Sequence, residues 1–453
     1  MNEKFISRRK FVSTAAAAVA ASSLLAKAGV QAGQPSVLRH ACIGVGGMGW
    51  HDLHQFKTHP GVKIVALCDV DANNLKKAAE AFPDARTYAD WRELLKKEKN
   101  NIDSVNVTVP DHNHFIIAIH FMRAGKHIYC QKPMCHDVAE VRALTKESIK
   151  RGVVTQLGTQ VAASKGDRTA VQWLKQKAIG KIKHAYLCSN RKGAVENYRL
   201  EGPRPETAAE APASLNWDLW LGTAPQRPYA PQIYHPVLWR SWQDFGTGWS
   251  GDIGCHIFDA VWKGIDLKAP LSVMAEVQES WKNSEARMED TWPQGDHITW
   301  IFPGNEYTED DTLILEWFDG AYYPPGEIRS LYKGDYPEES AMLIGTEGAL
   351  LIPHGGTPVL LPEEKFSSYS LPDLEERNHY HHFVDACLKK AKNESAFAQS
   401  GPMTEAILLG TVAIRNPGIL LKWEPEQMKF PNYPAANPML KRNYRKGWAV
   451  KRF

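Results

Sequence analysis

VLRHACIGV, from Val37 to Val45, reads as a strand and runs directly into Gly44-Val45-Gly46-Gly47-Met48-Gly49, after which MGWHDLHQFKTH reads as a helix. G-x-G-x-x-G between a strand and a helix is built to cradle a pyrophosphate. The first glycine permits a tight turn, the second lets backbone approach the phosphates and the third lets helix pack on strand. The helix, opening at Met48, points its N-terminus at the negative charge. A second strand, VKIVALCDV, ends in Asp69, twenty residues beyond Gly49. An acid there accepts hydrogen bonds from adenosine ribose hydroxyls and repels a 2′-phosphate. Val70 follows, with no arginine beside it. The pattern therefore predicts NAD rather than NADP.

Strand and helix signals continue to alternate through ANNLKKAAEAF, DWRELLKKE, IDSVNVTVP, HNHFIIAIHFMRAG, KHIYC, DVAEVRALTKESIKRG and VVTQLGT. This predicts a parallel, doubly wound sheet covered by helices on both faces. After about residue 160 the rhythm changes. Long loops rich in aromatics, Pro and Gly occupy 200–250, and the strands IKHAYLCSN, LSVMAEVQE, HITWIFP, TLILEWFDG and AMLIGTEGALLIP lack helices between them. HYHHFVDACLKKA and MTEAILLGTVAIR read as C-terminal helices. The fold class predicted is α/β: a dinucleotide-binding domain over 36–160, then a second α/β domain over 161–453 with a large, mainly antiparallel open sheet. A cleft between two such domains is where a small ligand binds, and an open sheet face favours a homo-oligomer.

The first 32 residues read as an export signal. Lys4, Arg8, Arg9 and Lys10 precede a short run diluted by Ala and Ser, with Val30-Gln31-Ala32 or Ala26-Lys27-Ala28 for cleavage. Paired arginines in SRRKFV match the twin-arginine pattern, which implies the twin-arginine translocase as partner, export in the folded state, and a periplasmic or secreted location. The run is too short and weakly apolar for a stable membrane anchor. The full chain has 54 Lys/Arg and 51 Asp/Glu. The segment holds five of the former and one of the latter, so the remainder carries 49 and 50, a net charge of −1. Nothing there suggests a nucleic-acid surface. Seven cysteines, an odd number with three in strand-like runs, read as buried free thiols. Cys130-x4-Cys135 lacks zinc spacing, and no metal is assigned.

The glycine loop, VTVPDHNH, GKHIYCQKP, NWDLWLGTAPQRPY, WRSWQDFGTGWSGDIGCHIFDAVW and ILLKWEPEQMKF together resemble the glucose–fructose oxidoreductase / inositol dehydrogenase (Gfo/Idh/MocA) family, especially its exported branch. The resemblance spans the chain beyond the export signal. It implies a tightly held nicotinamide nucleotide and a sugar, glycoside or polyol in the cleft. Pro110 and His114 match the family's proline and histidine beside the cofactor; Lys132 and Pro133 match its K-P; Asp252 and His256 match its D-x-x-x-H on a helix beside the substrate. One departure is Gln131, where the family carries glutamate. The lost charge predicts a less well paired Lys132.

The chemistry expected at these positions is hydride transfer at a secondary carbinol. His256 would take the hydroxyl proton, Lys132 would supply positive charge where alkoxide develops, and Asp252, one helical turn before His256, would orient the imidazole or contact a hydroxyl. Trp239 and Arg240, in the aromatic loop YHPVLWRSWQDFGTGW, are candidates for sugar stacking and hydroxyl binding, although loop packing explains such a loop equally well. Asp259 reads as packing or capping, and Trp317-Phe318-Asp319-Gly320 as a strand end and turn. An exported NAD enzyme has no soluble cofactor pool, so its nucleotide must be reset in place. That fits an oxidoreductase that reduces a second substrate or passes its electrons to a separate acceptor, or a redox-neutral glycosidase acting through a transient 3-keto sugar; a non-catalytic sugar-binding protein that kept the fold is a different class.

Overall fold

The computed structural model describes residues 37–191, 208–320, 322–451 and 453. The expected export signal, residues 1–32, lies outside the described residues. Six strands, β1 (Leu38–Ile43), β2 (Val62–Cys68), β3 (Arg86–Tyr88), β4 (Ser104–Val107), β5 (His127–Cys130) and β6 (Thr155–Leu157), form an all-parallel sheet in the order β3-β2-β1-β4-β5-β6. This is the order of a dinucleotide-binding fold, with its switch point between β1 and β4. Burial on both faces explains the continuous apolar run Ile64–Cys68 in β2. The crossover helices are α1 (Met48–Lys57), α2 (Ala72–Ala81), α3 (Trp91–Glu98), α4 (His114–Arg123) and α5 (Val138–Arg151). Asp71, Asp90 and Asp137 cap α2, α3 and α5 by accepting backbone N–H bonds.

The second sheet has eight strands: β7 (Ile182–Ser189), β8 (Ser272–Val277), β9 (Asp296–Pro303), β10 (Thr312–Asp319), β11 (Glu339–Gly345), β12 (Ala349–Pro353), β13 (Val359–Leu361) and β14 (Leu421–Lys422), ordered β13-β12-β11-β7-β10-β9-β8-β14. All neighbours run antiparallel except β7 and β10. In β9, alternate residues Asp296, Ile298, Trp300 and Phe302 are buried, while His297, Thr299 and Ile301 are only partly so. This is the pattern of a sheet with one covered face. Helices α6 (Lys165–Lys175), α8 (Gly248–Gly264) and α10 (Phe397–Ile414) cover that face, while α7 (Trp217–Leu221) lies in the aromatic loop and α9 (His379–Cys387) precedes α10. Of these, α8 and α10 share the main core with Ile298, Trp300 and Leu315. Helix α10 starts six residues earlier than its sequence pattern and carries Pro402 at its sixth position, where the ring removes one i→i−4 hydrogen bond. Helix α9 instead packs on the first sheet: Tyr380, Phe383 and Val384 share a core with Leu38, Cys42 and Phe56. All seven cysteines are buried and free.

Candidate active site

Every functional segment predicted in the first domain lies at the carboxyl end of a parallel strand. The glycine loop follows β1, Asp69 follows β2, Pro110 follows β4 and Lys132 follows β5. Gly44 has φ +79°, and a Cβ there would sit 1.9 Å from the Thr108 carbonyl oxygen. Gly49 packs its bare Cα against Gly44. Gly47, the N-cap of α1, faces open space and brings no side-chain cap, so the helix start is left for an anion. Asn74 lies beside Gly46, a neighbour with no sequence signal. The Asp69 carboxylate accepts the N–H groups of Val45 and Asp71, each at 2.9 Å. One bond per oxygen leaves acceptor capacity for two ribose hydroxyls. These residues fit a dinucleotide: Gly44, Gly46, Gly47, Met48 and Gly49 would hold the pyrophosphate and Asp69 the ribose.

The second cluster joins β5 to α8. Lys132 Nζ donates to the Asp252 carbonyl at 3.0 Å and stands 3.2 Å from its Oδ1. Arg240 Nε lies 3.7 Å from the same oxygen. Burial pushes the Asp252 carboxyl up, but Lys132 and Arg240 outweigh it and hold it below its ordinary value. So the Gln131 substitution does not leave Lys132 poorly paired: Asp252 is its partner. Gln131 Nε2 turns the other way and donates to both Asp52 oxygens at 3.1 and 3.0 Å. Asp52, fully buried on α1, also accepts from Thr108 at 2.8 Å and from Tyr380 at 2.7 Å. A glutamate at 131 would meet a carboxylate there, which gives a physical reason for the carboxamide.

His256 is buried, and its Nδ1 has no hydrogen-bond partner among the described residues. Burial first, then the charge of Lys132, pushes its pKa well down, so the ring is neutral and able to accept a proton. Asp252, occupied by Lys132 and Arg240, does not orient the imidazole as the i, i+4 spacing predicts. His114 has both ring nitrogens 2.7 Å from main-chain carbonyls, of Pro133 and Val109. It braces the segments carrying Lys132 and Pro110, which is a positioning role. Trp239 is buried in the loop's own aromatic cluster with Trp220, Tyr234, Trp242 and Phe245, and the Arg240 guanidinium sits 4.2 Å over its ring. In this arrangement it supports Arg240.

Sequence reasoning missed three participants. Asp111, beside Pro110, is buried and accepts from Thr247 Oγ1 at 3.2 Å. Burial and the Asp252 charge push its pKa up to about 8. An acid directly after Pro110 was the available signal. His354 and Glu339 gave none, because strand pairing brings them together and the packing of α8 on the sheet sets His256 against His354.

Residues 38–159 match the oxidoreductase family NAD-binding Rossmann fold (Gfo/Idh/MocA), and residues 188–330 match that family's C-terminal alpha/beta domain. The chain belongs to the Gfo/Idh/MocA oxidoreductase family. NAD is the nucleotide of this Rossmann fold. The chain is similar to D-apiose dehydrogenase of Paraburkholderia graminis, 33% identical over 25% of this chain and 30% of the relative. It is also similar to inositol 2-dehydrogenase of Salmonella typhimurium, 26% identical over 28% and 39%, and to a glycosyl hydrolase family 109 protein of Stenotrophomonas maltophilia, 30% identical over 39% and 40%. The chain thus spans 30 to 40% of the length of these relatives. Among solved Gfo/Idh/MocA-like structures, the WlbA dehydrogenase of Chromobacterium violaceum, in complex with NADH and UDP-GlcNAcA, superposes with a TM-score of 0.61 at 15% identity, over 86% of this chain and 97% of that one. That likeness carries the fold alone.

Proposed function

We propose that this protein is an exported oxidoreductase that keeps NAD(H) tightly bound and moves hydride to or from a secondary hydroxyl or ketone of a sugar, glycoside or polyol. The observation that carries this reading is the cluster in which Lys132 is held by Asp252 beside a neutral, buried His256 with a free Nδ1. A protein that only binds sugar has no use for a fixed ammonium next to an unpartnered base. NAD supplies the hydride acceptor. Lys132 stabilises charge on the carbinol oxygen, His256 takes its proton at Nδ1, and Asp252 holds Lys132 and Arg240 in place. Pro110 and His114 shape the neighbouring wall.

Export through the twin-arginine translocase, inferred from SRRKFV, accounts for tight retention: a cofactor loaded during folding in the cytoplasm travels with the protein to the periplasm. The partly uncovered face of β9 and β10, with Ile314 exposed, suits a homo-oligomer. The likeness to a glycosyl hydrolase family 109 protein supports a second reading, the redox-neutral glycosidase. Mass spectrometry of small molecules released from the native protein, followed by absorbance near 340 nm with a panel of sugars, tests both. Net absorbance change favours the oxidoreductase, and aglycone release without it favours the glycosidase. A protein that emerges empty and retains no dinucleotide refutes both.

A further inference from the structure

The His256 and His354 rings stack with centroids 5.2 Å apart and 30° between their planes. Each keeps one buried nitrogen, Nδ1 of His256 and Nε2 of His354, without a hydrogen-bond partner among the described residues. Buried polar atoms are nearly always paired, so two adjacent orphans point to a ligand that supplies the missing bonds. The two rings are not equivalent. His354 Nδ1 lies 3.1 Å from Glu339 Oε2. Burial pushes Glu339 up, but the hydrogen bonds from His354 and Ser189 and the charge of Arg191 hold it below its ordinary value. An ionised carboxylate only accepts, so the Nδ1 proton is drawn to it and Nε2 is left bare. The register of the β11–β12 hairpin enforces this. Ser340 pairs with Pro353, and the His354 N–H donates to the Glu339 carbonyl at 2.9 Å. A slip of one residue would send the ring to the other face. The charged and titratable groups facing the pair are Lys132, Arg191, His379 and Glu339.

We propose that His354, held in one tautomer by Glu339, is a second general base of this site, and that the ligand presents two adjacent hydroxyl groups, one to each imidazole. The proposal rests on the oxidoreductase reading and deepens it to vicinal diols. The proton of the second hydroxyl passes to His354 Nε2, the O–H electron pair stays on oxygen, and Glu339 balances the imidazolium. The proton returns by the same path as turnover closes. Glu339 is a positioning residue.

The test uses the full chain with its bound nucleotide, labelled with 15N in histidine, the two signals being assigned with His256→Asn and His354→Asn. Near pH 7 His354 should show the Nδ1–H tautomer, and Glu339→Gln should abolish that preference. With the sugar that reduces the bound cofactor, Glu339→Gln should lower kcat about tenfold or more and move a limb of its pH profile, with nucleotide occupancy unchanged. An Nε2–H tautomer in the native protein, or native kcat and pH profile in Glu339→Gln, overturns the proposal. An empty native protein would strike the oxidoreductase reading instead, and the tautomer would still decide the role of Glu339.

Discussion

Replacing Gln131 with glutamate should destabilise this protein. Gln131 Nε2 lies 3.1 and 3.0 Å from the two Asp52 oxygens, and both side chains are buried. Gln131→Glu swaps a donor for a carboxylate, with charge centres about 4 Å apart and a repulsion of about 4 kcal/mol at an effective dielectric constant of about 20. Losing the hydrogen bond to a charged group adds about 1.5–3 kcal/mol. The pair escapes part of this by keeping one proton. That proton sits on a group whose folded pKa is raised above its unfolded value, so the native state binds more protons than the unfolded state and stability falls as pH rises. The expected loss is therefore about 2–4 kcal/mol near pH 8 and smaller near pH 5. Urea unfolding of native protein, Gln131→Glu, Asp52→Asn and the double variant across that range measures it. Asp52→Asn should rescue Gln131→Glu, because a carboxamide then faces a carboxylate again. Native stability in Gln131→Glu at pH 8, or no rescue, would refute the reasoning. If position 131 acted through Lys132 instead, the added glutamate would strengthen an ion pair and the pH slope would be absent.

His256→Ala and Lys132→Met should each abolish turnover, by about 100-fold or more, with bound nucleotide retained. Turnover and released nucleotide are read on the same preparation, and normal turnover removes the residue from its role. Asp69→Ala should lower NAD occupancy of the purified protein; unchanged occupancy counts against the ribose assignment. Asp111, with a pKa raised from 3.8 to about 8, binds its proton more tightly when folded. It therefore subtracts stability progressively from about pH 4 to pH 8. Asp111→Asn should be more stable than the native protein near pH 8 and nearly equal near pH 4, and parallel melting curves at the two pH values would exclude it.

The first sheet and its phosphate loop were legible because they are local. An apolar run, a glycine spacing and an acid at a strand end act through backbone geometry within a few tens of residues, and β1, β2, β4, β5 and β6 fall where the runs predict, whereas the three-residue β3 carries no apolar run to predict it. The second sheet was legible as strands without helices. Its order was not, since which strand lies beside β7 depends on pairings more than a hundred residues apart. Lys132, Asp252 and His256 stood out through their resemblance to a family pattern. Only the folded chain decided what each one touches. Asp252 faces Lys132 because β5 and α8 meet there, although its helical spacing pointed to His256. Gln131 serves Asp52 because α1 packs beneath β5. Trp239 is spent on Arg240 because the loop buries its own aromatics. Glu339 reaches His354 through hairpin register, and His354 reaches His256 because α8 packs on that sheet. Sequence patterns carry the forces that act along a chain, whereas electrostatic pairing and ring contact act through space, and only the packed structure sets those distances.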